Sequence, residues 1–272
     1  MTNRPGLLVV DIDGTLINQA GVISMADRQA LARIIEAGIG ISLSTGRVSQ
    51  ACRSVLELLS LEGYHVFSDG ALVADPQSDG EVYVEPIPRE LVKEIVEFIH
   101  DYEMRIDLYS SRQFFVERED WVTDIRRKFF GLEPTLIDFS SVWQNERVIK
   151  GTLVVHSLEE KAQAAHFRNY FKDRLNLSWT MTPAYPDIDF INVISREVSK
   201  GKALEELASF LGVALSEVIA IGNGDNDVSL LSTAGTGIAM GNSPDELKAV
   251  ADHVVPGVEH SGVSVAVEKY IL

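Results

Sequence analysis

Leu7–Val10 is an unbroken apolar run, as expected of a strand buried on both faces rather than one that alternates between core and solvent. The stretch "SMADRQALARIIEAG" then changes to helical spacing. Ser24 and Asp27 stand three apart, close to a capping box although Glu or Gln is usual at the second position. Leu31, Ile34 and Ile35 fall on one helical face, and Gly38 marks the helix end. A second short apolar strand ("IGISLS", 39–44), a helix through Val55, Leu58 and Leu59, and the strand "YHVF" follow. This βαβαβ order predicts a parallel sheet with right-handed crossovers.

The rhythm changes near residue 75. "ADPQSDGEVYVEPIP" is rich in turn residues, with strand-like pieces on either side of Asp79 and Gly80, and reads as a hairpin leading into a linker. Beyond it the order is mixed: a helix over 88–101, paired strands "RIDLYS" and "RQFFVE" joined at Ser110 and Ser111, the helix "EDWVTDIRRKFFG", the strand "VIKGTLVVH", a helix over 158–172, and two strands ending in "IDFINVI". From 199 the alternation returns: helix "SKGKALEELASFLG", strand "VIAIGNG", helix "DNDVSLLSTA", strand "TGIAM" and a final helix in "SGVSVAVEKYIL". One α/β domain, residues 1–81 and 190–272, is therefore expected to be split by an α+β insert over 82–189.

A chain of 272 residues accommodates that division. Its net charge, 24 − 40 = −16, argues against nonspecific binding to nucleic acid or to an anionic membrane. Of the 24 basic residues, 14 fall in the insert, so an anionic ligand could contact it. The single cysteine, Cys52, excludes an internal disulfide and reads as a packing residue, which suits a cytoplasmic setting. No segment approaches the length of a membrane span. Oligomeric state is not legible in the sequence.

In open parallel sheets ligands bind beyond the carboxyl ends of the strands, and four features fall there. Asp11 and Asp13 flank a single Ile directly after the first strand; two like charges so placed need a shared proton or cation. In "STGR", Ser44 to Arg47, Gly46 lets the backbone approach a ligand. Lys200 and Lys202 occupy the first turn of a helix, the wrong end of the helix dipole for cations. An anion shared with Lys200 would repair this, whereas Lys202 is expected to extend into solvent. In "IGNGDNDVSLL", Asn223, Asp225 and Asp227 alternate where a strand becomes a helix; Asp225 fits an N-cap, and with Asp11 and Asp13 the group reads as hard oxygen ligands for Mg²⁺.

DIDGT, TGR, SKG and GNGDND, in this order and spacing, resemble the haloacid dehalogenase (HAD) superfamily of phosphohydrolases over essentially the whole chain. The insert between the second and third motifs, and the ending "GIAMGNSPDELKAVADHVV", resemble the Cof-type subfamily with a class IIB cap. The resemblance implies an α/β fold: a Rossmann-like parallel-sheet core and an inserted α+β cap of C2B type that closes over the site and reads the leaving group. It implies a Mg²⁺-dependent phosphatase acting on a small phosphorylated metabolite, such as a sugar phosphate. Asp11 would be the nucleophile that becomes an aspartyl-phosphate, and Asp13 the acid and base. The Ile12 amide, Thr45, the Gly46 amide, Lys200 and Asn226 would contact phosphate. The metal would be held by Asp11, the Asp13 carbonyl, Asn223 and Asp227. Two positions depart from the family pattern: Asn223 stands where an Asp ligand is usual, and Asp69, in "SDGALV", where Asn is usual. A phosphomutase of phosphomannomutase type is an alternative, although its Gly-Gly-Asn-Asp pattern is not matched; a catalytically weak phospho-ligand binding protein is another, motivated by Asn223.

Overall fold

The structure, a computed structural model, describes residues 5–78, 80–182 and 185–272. The chain divides into two compact units. The first comprises residues up to Arg47, Arg53–Tyr83 and Ser199–Leu272; the second comprises Val48–Cys52 and Val84–Val198. The second crossing lies at 198/199 rather than at the expected 189/190, because the strand Tyr185–Ser195 pairs inside the second unit almost to its end.

The first unit is built on a five-stranded, wholly parallel sheet in the order His253–Val255, Thr236–Met240, Val218–Gly222, Leu7–Val10, Gly40–Leu43. Leu7–Val10 is central, with Leu7 opposite Val218 on one side and Gly40 on the other. Leu7 and Val9 pack with Ala203, Leu204, Leu207 and Ala208 of the helix Lys200–Leu211 and with Leu230 and Leu231 of the helix Val228–Thr233. Leu8 and Val10 point the other way and are equally buried. The apolar run thus reflects a sheet covered on both faces. The helix Met25–Glu36 is capped as its sequence implied: Ser24 Oγ accepts the Asp27 N–H and donates to the Asp27 carboxylate.

Several expectations are corrected. Ile35 and Leu58 are exposed; Leu31, Ile34, Val55 and Leu59 carry the buried faces of their helices. His65–Phe67 is not a member of the main sheet. It forms a three-stranded sheet with Leu72–Asp75 and Gly80–Val84, and touches the main sheet's edge through a single bridge from Val66 to Ser44. The tip residue of the expected hairpin, Asp79, lies outside the described residues. A turn Ser49–Cys52 separates "STGR" from the helix Arg53–Leu59. The edge strand His253–Val255 was not read from the sequence.

The second unit carries a six-stranded mixed sheet in the order Leu175–Thr182, Tyr185–Ser195, Lys150–Val155, Asp107–Tyr109, Phe114–Val116, Thr135–Leu136. Leu108, Phe115, Leu153 and Ile191 pack with the helices Arg89–Asp101 and Leu158–Phe171 through Ile95, Phe98, Phe167 and Phe171. It is the α+β arrangement read from consecutive strands. Among the described residues, no helix of either unit is long and apolar enough to cross a membrane.

Candidate active site

Because the five strands are parallel, their carboxyl ends share one edge of the sheet. That edge receives Asp11 after Leu7–Val10, Ser44–Arg47 after Gly40–Leu43, and Asn223–Asp227 after Val218–Gly222. Lys200 completes the group from the first turn of its helix, whose N-terminus is capped by Ser199 accepting the Lys202 N–H at 3.1 Å.

Lys200 is wholly buried, and its ammonium has three acceptors for three donors: Asp11 Oδ1 at 2.7 Å, Asp227 Oδ1 at 2.7 Å and the Ser44 carbonyl at 3.2 Å. The misplacement at the positive helix end is thereby resolved by two carboxylates of the chain itself. Burial alone would push the ammonium down, but the charges of Asp11, Asp227 and Asp69 hold it above the usual lysine range. Burial, followed by the charge of Asp227, pushes Asp11 up to about 7 against the opposing pull of Lys200. Lys202 lies instead with its Nζ 5.6 Å from the centre of the Tyr83 ring.

The carboxylates of Asp11 and Asp13 have separate side-chain cations, Lys200 and Arg47. Asp13 is half exposed and is gripped by Arg47, whose Nε donates to Oδ2 at 2.8 Å and Nη2 to Oδ1 at 2.5 Å. Burial and a neighbouring anion act on Asp11, while Asp13 has a guanidinium partner. The sequence displayed Arg47 but gave no sign that it reaches a residue 34 positions away.

Both oxygens of Asp227 are engaged as acceptors. Oδ1 takes Lys200, and Oδ2 takes the backbone N–H groups of Asn223 and Gly224 at 2.9 Å each. It shapes the strand-to-helix turn, the task expected of Asp225, which stands exposed. Asn223 lies beside Thr15, whose hydroxyl donates to Asn223 Oδ1 at 2.9 Å. The same amide end is 3.1 Å from Asp11 Oδ2 and 2.9 Å from the Asp13 carbonyl oxygen. Gly14, at φ +85°, leaves room for the amide, which would overlap a Cβ there.

Among the described residues, no three Asp, Glu, His or Cys side chains gather to hold a metal. The donor set at this edge is mixed: a carboxylate oxygen, a main-chain carbonyl and an amide oxygen. The Asn223 amide oxygen lies 3.1 Å from the carboxylate oxygen and 2.9 Å from the carbonyl, close to the edge of an octahedron with Mg²⁺–O distances of about 2.1 Å, for which adjacent oxygens lie about 3.0 Å apart. Asp11, the Asp13 carbonyl and Asn223 therefore fit a magnesium ion.

Thr45 is buried, its Oγ1 accepting the Arg47 N–H at 3.1 Å. A Cβ on Gly46 would come within 2.9 Å of Asp69 Oδ1. Asp69 was noted only as a departure from a motif, but it lines this edge. Oδ1 accepts from Asn226 Nδ2 at 2.7 Å, and Oδ2 is buried with no hydrogen-bond partner among the described residues. Ser68 and Asp69 both have left-handed backbones (φ +52° and +58°), a conformation costly for non-glycine residues. The Ser68 and Asp69 N–H groups are pinned to the Arg47 and Thr45 carbonyls at 2.9 and 3.0 Å. Ile12 has a buried side chain, and its carbonyl accepts the Leu16 and Ile17 N–H groups to form the turn after the first strand.

A family model for haloacid dehalogenase-like hydrolases matches residues 8–267. The chain belongs to the haloacid dehalogenase-like hydrolases. Within that family it is of the Cof type. Among curated relatives, phosphatase YwpJ of Bacillus subtilis is 27% identical, the match covering 95% of this chain and 97% of YwpJ. The 5-amino-6-(5-phospho-D-ribitylamino)uracil phosphatase YitU of the same organism is 26% identical over 99% of both chains. Among solved structures, that of the HAD subclass IIB sugar phosphatase BT4131 aligns with a TM-score of 0.78 at 26% identity, covering 98% of this chain and 99% of that one.

Proposed function

We propose that this HAD-family chain hydrolyses a small phosphomonoester, in the class of sugar phosphates, through a covalent phosphate on Asp11. The chain is a phosphoric monoester hydrolase. The observation that carries the reading is the arrangement of Asp11. Its Oδ1 is tied to a buried ammonium, so its other oxygen is fixed in orientation and free of the ammonium. The substrate class follows the relatives, one a sugar phosphatase and another acting on a phosphoribityl compound.

A carboxylate oxygen of Asp11 attacks phosphorus; an O–P bond forms as the ester O–P bond breaks. Asp13, carrying a proton, gives it to the departing alkoxide. Asp13 then takes a proton from water, whose oxygen attacks phosphorus. The Asp11–phosphorus bond breaks, regenerating the carboxylate and releasing inorganic phosphate. For either proton transfer Asp13 must leave Arg47, because a bidentate grip occupies both its oxygens as acceptors. Lys200 keeps its charge beside Asp11 and offsets the incoming phosphate. The Ile12 and Gly46 amides, the Thr45 hydroxyl and Asn226 are assigned to the phosphoryl oxygens, with Asp69 orienting Asn226. Asp11, the Asp13 carbonyl and Asn223 would hold Mg²⁺, which supplies positive charge against the phosphoryl oxygens when bound. Asp227 is kept out of the ligand set because Lys200 and two backbone amides already hold both of its oxygens. The second unit is assigned to substrate selection. The single buried cysteine, Cys52, suits the cytoplasmic setting that completes the proposal.

The test is release of inorganic phosphate from an aryl phosphate and a panel of sugar phosphates, with Mg²⁺ and with EDTA. Turnover with Mg²⁺ that is lost in Asp11→Asn is expected. No release from any member of the panel by the folded protein would overturn the reading.

A further inference from the structure

The Asn223 amide admits two orientations in one envelope, since its oxygen and nitrogen ends are alike in shape. With Oδ1 inward, the Thr15 hydroxyl donates to it, but Asp11 Oδ2 and the Asp13 carbonyl oxygen also face it at 3.1 and 2.9 Å. No hydrogen lies between these last oxygens, so the arrangement is repulsive unless a cation sits among them. With Nδ2 inward, its two N–H bonds have three acceptors within reach, Asp11 Oδ2, the Asp13 carbonyl and Thr15 Oγ1, and the outward oxygen faces donors. Each orientation suits one state of the site and conflicts with the other.

We propose that Asn223 is a rotating stopper. Without a divalent cation, Nδ2 faces inward and links the Asp11 carboxylate to the Asp13 carbonyl. When the cation binds, the amide turns about its terminal torsion and offers Oδ1. The identity of the cation rests on the function proposed above; the rotation rests on the oxygen spacing alone. Two consequences follow. The cation-free site is held together by hydrogen bonds, and the cation must displace those bonds to enter. An aspartate at 223 could do neither, because both its ends are oxygens and bring further negative charge towards Asp11. The device therefore exchanges cation affinity for order in the cation-free state.

The experiment is thermal melting of wild type and Asn223→Asp in EDTA and across a Mg²⁺ titration at fixed ionic strength, with no substrate. In EDTA, Asn223→Asp is expected to melt below wild type. With Mg²⁺ its melting temperature should rise further than that of wild type, with half-saturation at about tenfold lower concentration, equivalent to roughly 1.4 kcal/mol. Equal melting in EDTA, or equal half-saturation, overturns the proposal. A second measurement keeps the test independent of how the variant folds. The side-chain amide NMR signal of Asn223 in the wild-type protein, identified by its absence in Asn223→Ala, should shift as Mg²⁺ is added. A signal unmoved at saturating Mg²⁺ also overturns the proposal. Neither readout needs turnover, so failure of the phosphatase reading would be seen separately.

Discussion

Replacing Lys200 with methionine keeps the length of the side chain and removes the charge that Asp11 and Asp227 share. Both carboxylates lie 2.7 Å from the same Nζ, which is wholly buried. Removing one partner of a buried ion pair costs about 3–5 kcal/mol, because the remaining charge has neither water nor a counterion. The cost should depend on pH, and its sign follows from Asp11. This carboxyl sits at about 7 in the cation-free fold, against 3.8 in an exposed chain. A carboxyl raised by folding stabilises the native state below its unfolded value, and that contribution is lost as pH rises through the folded value. The contribution of Asp11 to wild-type stability should therefore fall as pH rises from about 4 to 7. In the variant, without the downward pull of Lys200, the loss continues above 7 at up to about 1.36 kcal/mol per pH unit. The deficit relative to wild type should widen by about 2 kcal/mol between pH 7 and 8.5. Equilibrium urea unfolding in EDTA at pH 6, 7 and 8.5 measures it, with Lys202→Met as the control for losing a charge at the same helix start. A deficit that stays constant with pH, or one that Lys202→Met reproduces, would refute the reasoning.

Asp13→Asn should reduce turnover of alkyl phosphates more than of aryl phosphates in a leaving-group series, since a good leaving group needs less help from an acid; its unfolding free energy should change by no more than about 1 kcal/mol, because the Arg47 pair is partly exposed. Gly70→Ala should cost more than about 2 kcal/mol in denaturant unfolding, since Gly70 has φ +103° and a Cβ there would overlap the Ser199 carbonyl. His65 accepts the Leu43 N–H, and burial pushes its imidazole down from 6.5 to about 4. Its contribution is present above 6.5 and lost as pH falls through 4, so the stability difference between wild type and His65→Asn should change by about 3 kcal/mol, to the disadvantage of wild type, as pH falls from 7 to 4 in urea unfolding.

The parts of this fold legible in the sequence depend on local physics. Leu7–Val10 announces its double burial by having no polar residue, and Ser24 announces a cap by its spacing from Asp27. Lys200 was found because it breaks the helix-dipole rule, and its partners explain why the rule could be broken. What remained hidden depends on chain passing close by from elsewhere. His253–Val255 is a strand only because Thr236–Met240 offers an edge to pair with. His65–Phe67 leaves the main sheet for a partner strand reached through the left-handed turn at Ser68 and Asp69. The Arg47 grip on Asp13 and the Asp69–Asn226 bond join side chains on separate loops, and neither leaves a periodic trace. The family resemblance marked Asn223 and Asp69 as departures, but which atoms they face is a matter of tertiary placement.

The central position of Leu7–Val10 in its sheet also bears on how the chain folds as it is synthesised. One neighbour, Gly40–Leu43, emerges soon after it; the other begins at Val218, 218 − 7 = 211 positions after Leu7. At about 5–20 residues per second, roughly 10–40 s of synthesis separate the two. During that interval one edge of an apolar strand has no partner, a condition that invites pairing with other chains. The residues made in the interval include the second unit, whose sheet and helices draw on segments already present and can pack first. Asp11 waits with them as an ordinary hydrated carboxylate. Its burial and its ammonium arrive together with the helix at Lys200 and the strand at Val218, so the closing of the sheet and the making of the nucleophile's environment are a single late event.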